Sequence, residues 1–264
     1  MDVRTSPAKS TLEPQLASSA EVSAPSSFRS YQLLVAITAL AVLLRSLFLS
    51  SKSFWMDEGF SAFMAQTDFT TFMNYVRHGE INMVAYYGLL RLWTHFGRGE
   101  AFIRSLSVLA SAATIPLVYL IGKRLCGVRV GIVAALLLAV HPGHVEYAQE
   151  ARSYALGVFL LCLFTYFLLR CLYTGSVLAY LGYAGALVLA VYTFLLTGLV
   201  ALSQWPVVLR RFKSAHRLGS LAITLACSGL FLLPVAFVVW SKGPGVADWI
   251  RLVSWHTLGR SWRL

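Results

Sequence analysis

Two short stretches carry residue types suited to chemistry. The first is Phe54-Trp55-Met56-Asp57-Glu58-Gly59-Phe60-Ser61, which follows an apolar run over residues 31–50. Acidic side chains at a membrane boundary lose solvation, so adjacent carboxylates placed there point to proton transfer or ion binding rather than stability. The second runs from His141 to Leu156 and contains His144, Glu146, Tyr147, Gln149, Glu150 and Arg152. Pro142-Gly143 ends the preceding apolar run, and a helix from about Val145 would set Glu146 and Glu150 four residues apart on one face. Arg152 stands where the next apolar run begins. Its planar fork suits an anionic headgroup or phosphate; the bland alternative is a cation whose stem lies in hydrocarbon while its head reaches water. His141 and His144 read as polar loop residues; alternatively His144, with Glu150 and the first-loop carboxylates, forms a divalent-metal site. No fixed ligand spacing supports the metal.

The elements that must position these groups follow from composition. The chain has 264 residues, of which 58% are hydrophobic and 12% charged. Soluble domains carry about 25% charged residues, so this is an integral membrane protein, with several runs near the roughly 20 apolar residues a crossing needs. The net charge of +11 sits in short clusters between the apolar runs, which fits cytoplasmic anchoring on lipid headgroups rather than nucleic-acid binding. Cys126, Cys162, Cys171 and Cys227 show no metal or disulfide spacing and read as apolar packing residues.

Residues 1–27 are rich in Ser, Ala, Pro and Thr without periodicity and read as a disordered cytoplasmic tail. A transmembrane domain is expected over 28–240, followed by an extracytoplasmic segment over 241–264. The first loop, 51–100, holds the acidic motif, a helix start at Asp68 and an amphipathic interfacial helix over 83–96. Spans follow over 101–122, 128–139 and 152–172. Placing Arg210, Arg211, Lys213 and Arg217 with Lys123, Arg124, Arg129 and Arg170 in the cytoplasm requires two crossings within 177–209, turning near 192–197. With a last span over 217–240, the expectation is an all-α polytopic protein of about seven spans. Arg45 is expected to snorkel outward near the end of the first span. On this topology Asp57, Glu58, His144, Glu146, Glu150 and Arg152 share the extracytoplasmic side.

In order along the chain, Trp55-Met56-Asp57-Glu58, Met83-Val84-Ala85-Tyr86-Tyr87, Phe102-Ile103-Arg104-Ser105 and His144-Val145-Glu146-Tyr147-Ala148-Gln149-Glu150-Ala151-Arg152-Ser153-Tyr154 make up a recognisable set. Over residues 30–240 the chain resembles the N-terminal part of the GT-C glycosyltransferases of the family-39 type, which include protein O-mannosyltransferases, the aminoarabinose transferase acting on lipid A and bacterial relatives. The resemblance implies a GT-C transmembrane helical bundle in a plasma (bacterial inner) membrane. It implies a polyprenyl-phosphate sugar donor, an extracytoplasmic protein, lipid or polysaccharide acceptor, and inversion at the anomeric carbon. Asp57 would be the general base and Glu58 would tune it or orient the acceptor. Arg152 and Glu150 would serve the donor phosphate, and Tyr86, Tyr87, His144 and Tyr147 would contact acceptor or sugar. No nucleotide sugar would be needed and no cofactor is fixed; a divalent metal stays open at Glu150.

The chain departs from that pattern in two places. The segment Asn82-Met83-Val84-Ala85 stands where a proline usually precedes Tyr-Tyr, and Tyr192-Thr193-Phe194 stands where Tyr-Thr-His is frequent. Relatives also run well past the length at which this chain stops, at Leu264. The sequence therefore carries a second expectation, a truncated and inactive membrane scaffold or interaction protein of the same architecture.

Overall fold

The computed structural model describes residues 27–78, 82–204, 206, 208, 210 and 215–242. The tail expected over 1–27, apart from Ser27, and the segment expected over 241–264, apart from the end of the last helix, lie outside the described residues. Every described element is helical: α1 (Ser27–Ser46), α2 (Met56–Gln66), α3 (Phe69–His78), α4 (Val84–Trp93), α5 (Glu100–Cys126), α6 (Val128–Val140), α7 (Pro142–Glu146), a 3-10 turn (Tyr147–Gln149), α8 (Tyr154–Tyr173), α9 (Val177–Thr193), α10 (Thr197–Ser203) and α11 (Ala215–Lys242).

Long apolar stretches become helices because no other local structure satisfies every backbone polar group within its own segment. Among the described residues, α1, α5, α8 and α11 are each long and apolar enough to cross a membrane. The pair of α6 and the α7–turn unit, bent by 63°, counts as a fifth when taken as one span, and α9 is shorter but apolar. The break expected near 192–197 is present: α9 stops at Thr193, Phe194 is extended, and α10 opens at Thr197.

The bundle has two cores that share α5. Leu34, Ile37 and Ala41 of α1 pack with Ile115 and Tyr119 of α5 and with Ala135 and Ala139 of α6. Its larger core joins α2, α4, α5, α8 and α9, with Tyr86, Ile103, Leu160, Phe164 and Leu187 among its buried residues. The α5–α6 hairpin brings two backbones into close approach. A Cβ on Gly131 would lie 2.7 Å from the Tyr119 carbonyl oxygen, and one on Gly122 would lie 2.9 Å from the Gly131 Cα. Small residues let backbones approach this closely where lipid supplies no hydrophobic drive between helices.

The ends of the bundle can be told apart by their polar contacts. At one end lie the acidic motif, the 141–152 segment and the α9–α10 turn, where the Leu195 amide donates to Asn82 Oδ1 at 3.2 Å. At the other, Arg217 donates to the Leu172 carbonyl at 2.9 Å, Arg124 sits over the Tyr166 ring at 4.7 Å, and Lys123 lies 5.6 Å from the centre of the Tyr31 ring.

Two expectations need correction, and a third is met as a helix of narrower bounds. Residues 145–150 are not one α-helix: α7 ends at Glu146, a 3-10 turn follows, and Glu150 is extended, so Glu146 and Glu150 do not share a helical face. The helix expected over 83–96 is α4, and it buries Tyr86, Tyr87 and Leu90 in the larger core while exposing Leu92. Arg45 does not snorkel; it is 0% exposed and turned into the bundle. The Asp68 helix start stands as expected, its Oδ1 accepting from the Thr71 amide at 2.9 Å.

Candidate active site

Asp57 and Glu58 occupy the first turn of α2, whose opening is set by Glu58 reaching back to the Trp55 amide at 3.4 Å. Successive residues on a helix point about 100° apart, and here that separation divides two neighbouring carboxylates between different surroundings. Glu58 turns inward and is 1% exposed. Arg104 of α5 meets it with two parallel bonds, Nε to Oε1 at 2.8 Å and Nη2 to Oε2 at 2.7 Å. The Ala151 amide also donates to Oε1, at 2.7 Å. Burial pushes the Glu58 carboxyl up, but the Arg104 guanidinium and the Ala151 and Trp55 amides outweigh it and hold the carboxyl below its ordinary value. Arg104 spends its remaining donors on the carbonyls of Leu49 and Lys52, at 2.9 and 2.7 Å, and more weakly on Ser53. One ion pair thus ties together α5, the loop leaving α1, the start of α2 and the loop before α8. Both Glu58 oxygens are thus already engaged by protein donors.

Asp57 turns the other way. Its side chain is 38% exposed and its Oδ2 lies 3.3 Å from Arg152 Nη2. Both line a cleft of about 360 Å³ together with Phe60, Asn82, Met83 and Tyr87. Arg152 lies over the Tyr154 ring at 5.6 Å, and its Nε is buried without a hydrogen-bond acceptor. Tyr154 in turn meets Tyr147 at 5.0 Å and Phe194 at 5.9 Å, both edge-on. Phe194, the residue standing where the resemblance expects histidine, is therefore one ring away from the guanidinium.

The remaining candidates divide. Tyr86 and Tyr87 are both buried in the core, and Tyr87 also borders the cleft. Tyr147 is exposed beside Tyr154. His144 faces inward: its Nδ1 lies 2.8 Å from Arg45 Nη2 and 3.1 Å from Ser111 Oγ. Burial first, then the Arg45 charge and His141, push the His144 pKa down to about 4. With an arginine donating to Nδ1, that nitrogen must accept, which leaves the proton on Nε2.

Glu150 lines a second, larger cleft of about 710 Å³, on whose walls Glu58, Arg104, Lys52, Glu146 and Gln149 also appear. Its Oε2 is buried without a partner, and its carboxyl is pushed up by burial, then by the charges of Glu58 and Glu146. Among the described residues, no group of three His, Cys, Asp or Glu side chains could hold a metal ion, so no step is assigned to one.

The residue that sequence reasoning passed over is Arg104. Its signal was legible, since an arginine at the start of an apolar span needs a partner; nothing local says that the partner lies 46 residues earlier.

No curated protein matches the chain. The sequence profile of the dolichyl-phosphate-mannose-protein mannosyltransferases matches residues 83–240. That stretch holds Tyr87, Arg104, Glu150 and Arg152 and begins after Asp57 and Glu58. It covers more than half of the sequence, so the chain belongs to the dolichyl-phosphate-mannose-protein mannosyltransferase family.

Proposed function

We propose that the chain is a membrane glycosyltransferase that moves a sugar from a polyprenyl-phosphate donor to a hydroxyl or amine acceptor, with inversion. The observation carrying this reading is the Asp57–Arg152 pair facing one cleft, with Arg152 Nε still lacking an acceptor. A phosphate oxygen supplies that acceptor and satisfies the orphaned donor. Asp57, part-exposed and ion-paired among the described residues with Arg152 alone, accepts the proton from the incoming acceptor. As the acceptor oxygen or nitrogen bonds to the anomeric carbon, the bond from that carbon to the phosphate oxygen breaks. The electron pair leaves with the polyprenyl phosphate, whose charge Arg152 offsets.

Within this reading Glu58 positions rather than reacts, by fixing the turn of α2 that presents Asp57 and the Ala151 amide next to Arg152. Tyr87 and Tyr147 are the aromatic contacts for sugar or acceptor; Tyr86 and His144 serve packing. Glu150, close enough to feel the Arg152 charge, balances charge around the phosphate.

The seven-span arrangement belongs to the same proposal. Leu195 beside Asn82 and Arg217 beside Leu172 lie at opposite ends of the bundle, which favours a crossing between them after α9. Lys123, Arg124, Arg170 and Arg217 gather at the end away from the cleft, and positive charge retained on the cytoplasmic side makes the cleft extracytoplasmic.

The test uses purified protein, radiolabelled polyprenyl-phosphate sugars and a membrane extract as the source of acceptor. Wild-type transfer that is abolished in Asp57→Asn, with a donor KM raised about tenfold or more in Arg152→Lys, supports the reading. Transfer at the wild-type rate in Asp57→Asn, or none from any lipid-linked donor, overturns it.

A further inference from the structure

The segment that carries Arg152 has little structure of its own. Between α7 and α8 it consists of one 3-10 turn and an extended Glu150, so its place depends on contacts to other elements. Ala151 and Arg152 are tied to α2 through Glu58 and Asp57. A second set of ties reaches the end of α1, and it is reciprocal.

Arg45, in the last turn of α1, enters the bundle with five N–H donors and meets five acceptors. Nε donates to Ser111 Oγ at 2.6 Å; Nη1 donates to the carbonyls of Ala41 at 3.0 Å and Ala139 at 2.9 Å. Nη2 donates to the Leu138 carbonyl at 3.2 Å and to His144 Nδ1 at 2.8 Å. None of these acceptors is a carboxylate. The charge is instead set against the last carbonyls of α6, the negative end of that helix. In the opposite direction, Gln149 Nε2 lies within reach of the carbonyls of Leu44, Arg45 and Leu47, at 3.4, 3.3 and 2.9 Å. Those are the unpaired carbonyls at the end of α1. Each of two helix C-termini is thus capped by a side chain from the other's neighbourhood.

We propose that Arg45 and Gln149 are positioning residues that clasp the 138–149 segment to α1, so that Arg152, three residues beyond Gln149, stands opposite Asp57. A lysine at 45 keeps the charge but cannot reach acceptors on three elements at once, because its single ammonium replaces a planar fork. Methionine at 149 keeps the length of the side chain and removes the amide donor. The catalytic consequence rests on reading Asp57 and Arg152 as the donor site; the structural consequence does not.

The experiment compares full-length wild type, Arg45→Lys and Gln149→Met in nanodiscs by hydrogen–deuterium exchange and by steady-state transfer from a synthetic radiolabelled polyprenyl-phosphate sugar. The expected result is exchange over 147–152 that rises about tenfold, the loss of roughly one hydrogen bond, while exchange in α5 and α8 holds. Donor KM rises by a similar factor and kcat changes less, a split that plain destabilisation does not produce. The Gln149 side chain is only half-buried, so its variant keeps the test alive if Arg45→Lys fails to fold. Exchange over 147–152 equal to wild type in the folded variants overturns the clasp, as does a loss of kcat with donor KM unchanged. Wild-type protein that neither binds nor uses the donor overturns the functional reading instead, and exchange alone then decides the clasp.

Discussion

Glu58→Gln is the most informative single substitution, because it changes one atom and leaves the shape of the side chain intact. The wild-type carboxylate accepts two bonds from Arg104 at 2.7 and 2.8 Å and a third from the Ala151 amide, at 1% exposure. Removing one partner of a buried pair costs about 3–5 kcal/mol, since the other charge stays buried. Glutamine keeps one accepting oxygen, and Arg104 keeps the carbonyls of Leu49 and Lys52, so the lower end, about 3 kcal/mol, is expected. For a chain of this size that is a fall in Tm of about 6–12 °C. Asp57→Asn is the control one residue away. Its pair with Arg152 is longer and half-exposed, and removing such a pair costs under about 1 kcal/mol. The assay is thermal unfolding in detergent, with a double-mutant cycle against Arg104→Gln. It carries a second readout in acid. The Glu58 carboxyl is held below its ordinary value of 4.5, so its contribution is present above that pH and is lost as pH falls through the folded value. The acid limb of the stability curve is therefore flatter in Glu58→Gln. A Tm within about 2 °C of wild type, or an equal loss in Asp57→Asn, refutes the division of labour between the two carboxylates.

Two further outcomes follow from the same structure. Gly131→Ala places a Cβ 2.7 Å from the Tyr119 carbonyl oxygen and forces α5 from α6, at about 1–3 kcal/mol in thermal unfolding. Gly185→Ala meets nothing within 4 Å and leaves stability equal or a few tenths of a kcal/mol higher. The pH dependence of stability separates His144→Asn from wild type. A pKa lowered from 6.5 to about 4 means that the fold favours neutral imidazole, so stability from this group is full above pH 6.5 and is lost as pH falls toward 4. Asparagine keeps an acceptor for Arg45 and does not titrate, so the two curves converge by about 2 kcal/mol across that window, after allowance for partial exposure. Parallel curves sink the assignment.

Much of the architecture was legible in the sequence because the membrane imposes it. Hydropathy and the spacing of basic residues located the long apolar helices, the break between α9 and α10, and the meeting of the 51–61 and 141–152 stretches at one end of the bundle. These are properties of segments, and a segment of about 20 apolar residues has few alternatives in lipid. The 145–150 helix failed because i, i+4 spacing describes an isolated helix, whereas here Gln149 is drawn to the open carbonyls of α1 and the chain tightens into a 3-10 turn.

What sequence alone determined, then, is which residues could meet: a bundle of apolar helices, with two polar segments brought to one face by topology. Tertiary structure decided what each of them does there. The motif Asp57-Glu58 reads as a matched pair, and a helical offset of about 100° sends one carboxylate to the cleft and the other to Arg104. Tyr86 and Tyr87 are both buried, and only Tyr87 also borders the cleft; Arg45 turns inward because the end of α6 offers it carbonyls that water would otherwise hold. In each case the deciding partner lies tens of residues away. Burial and pairing depend on distances that only the packed helices create, whereas helix formation depends on neighbours along the chain.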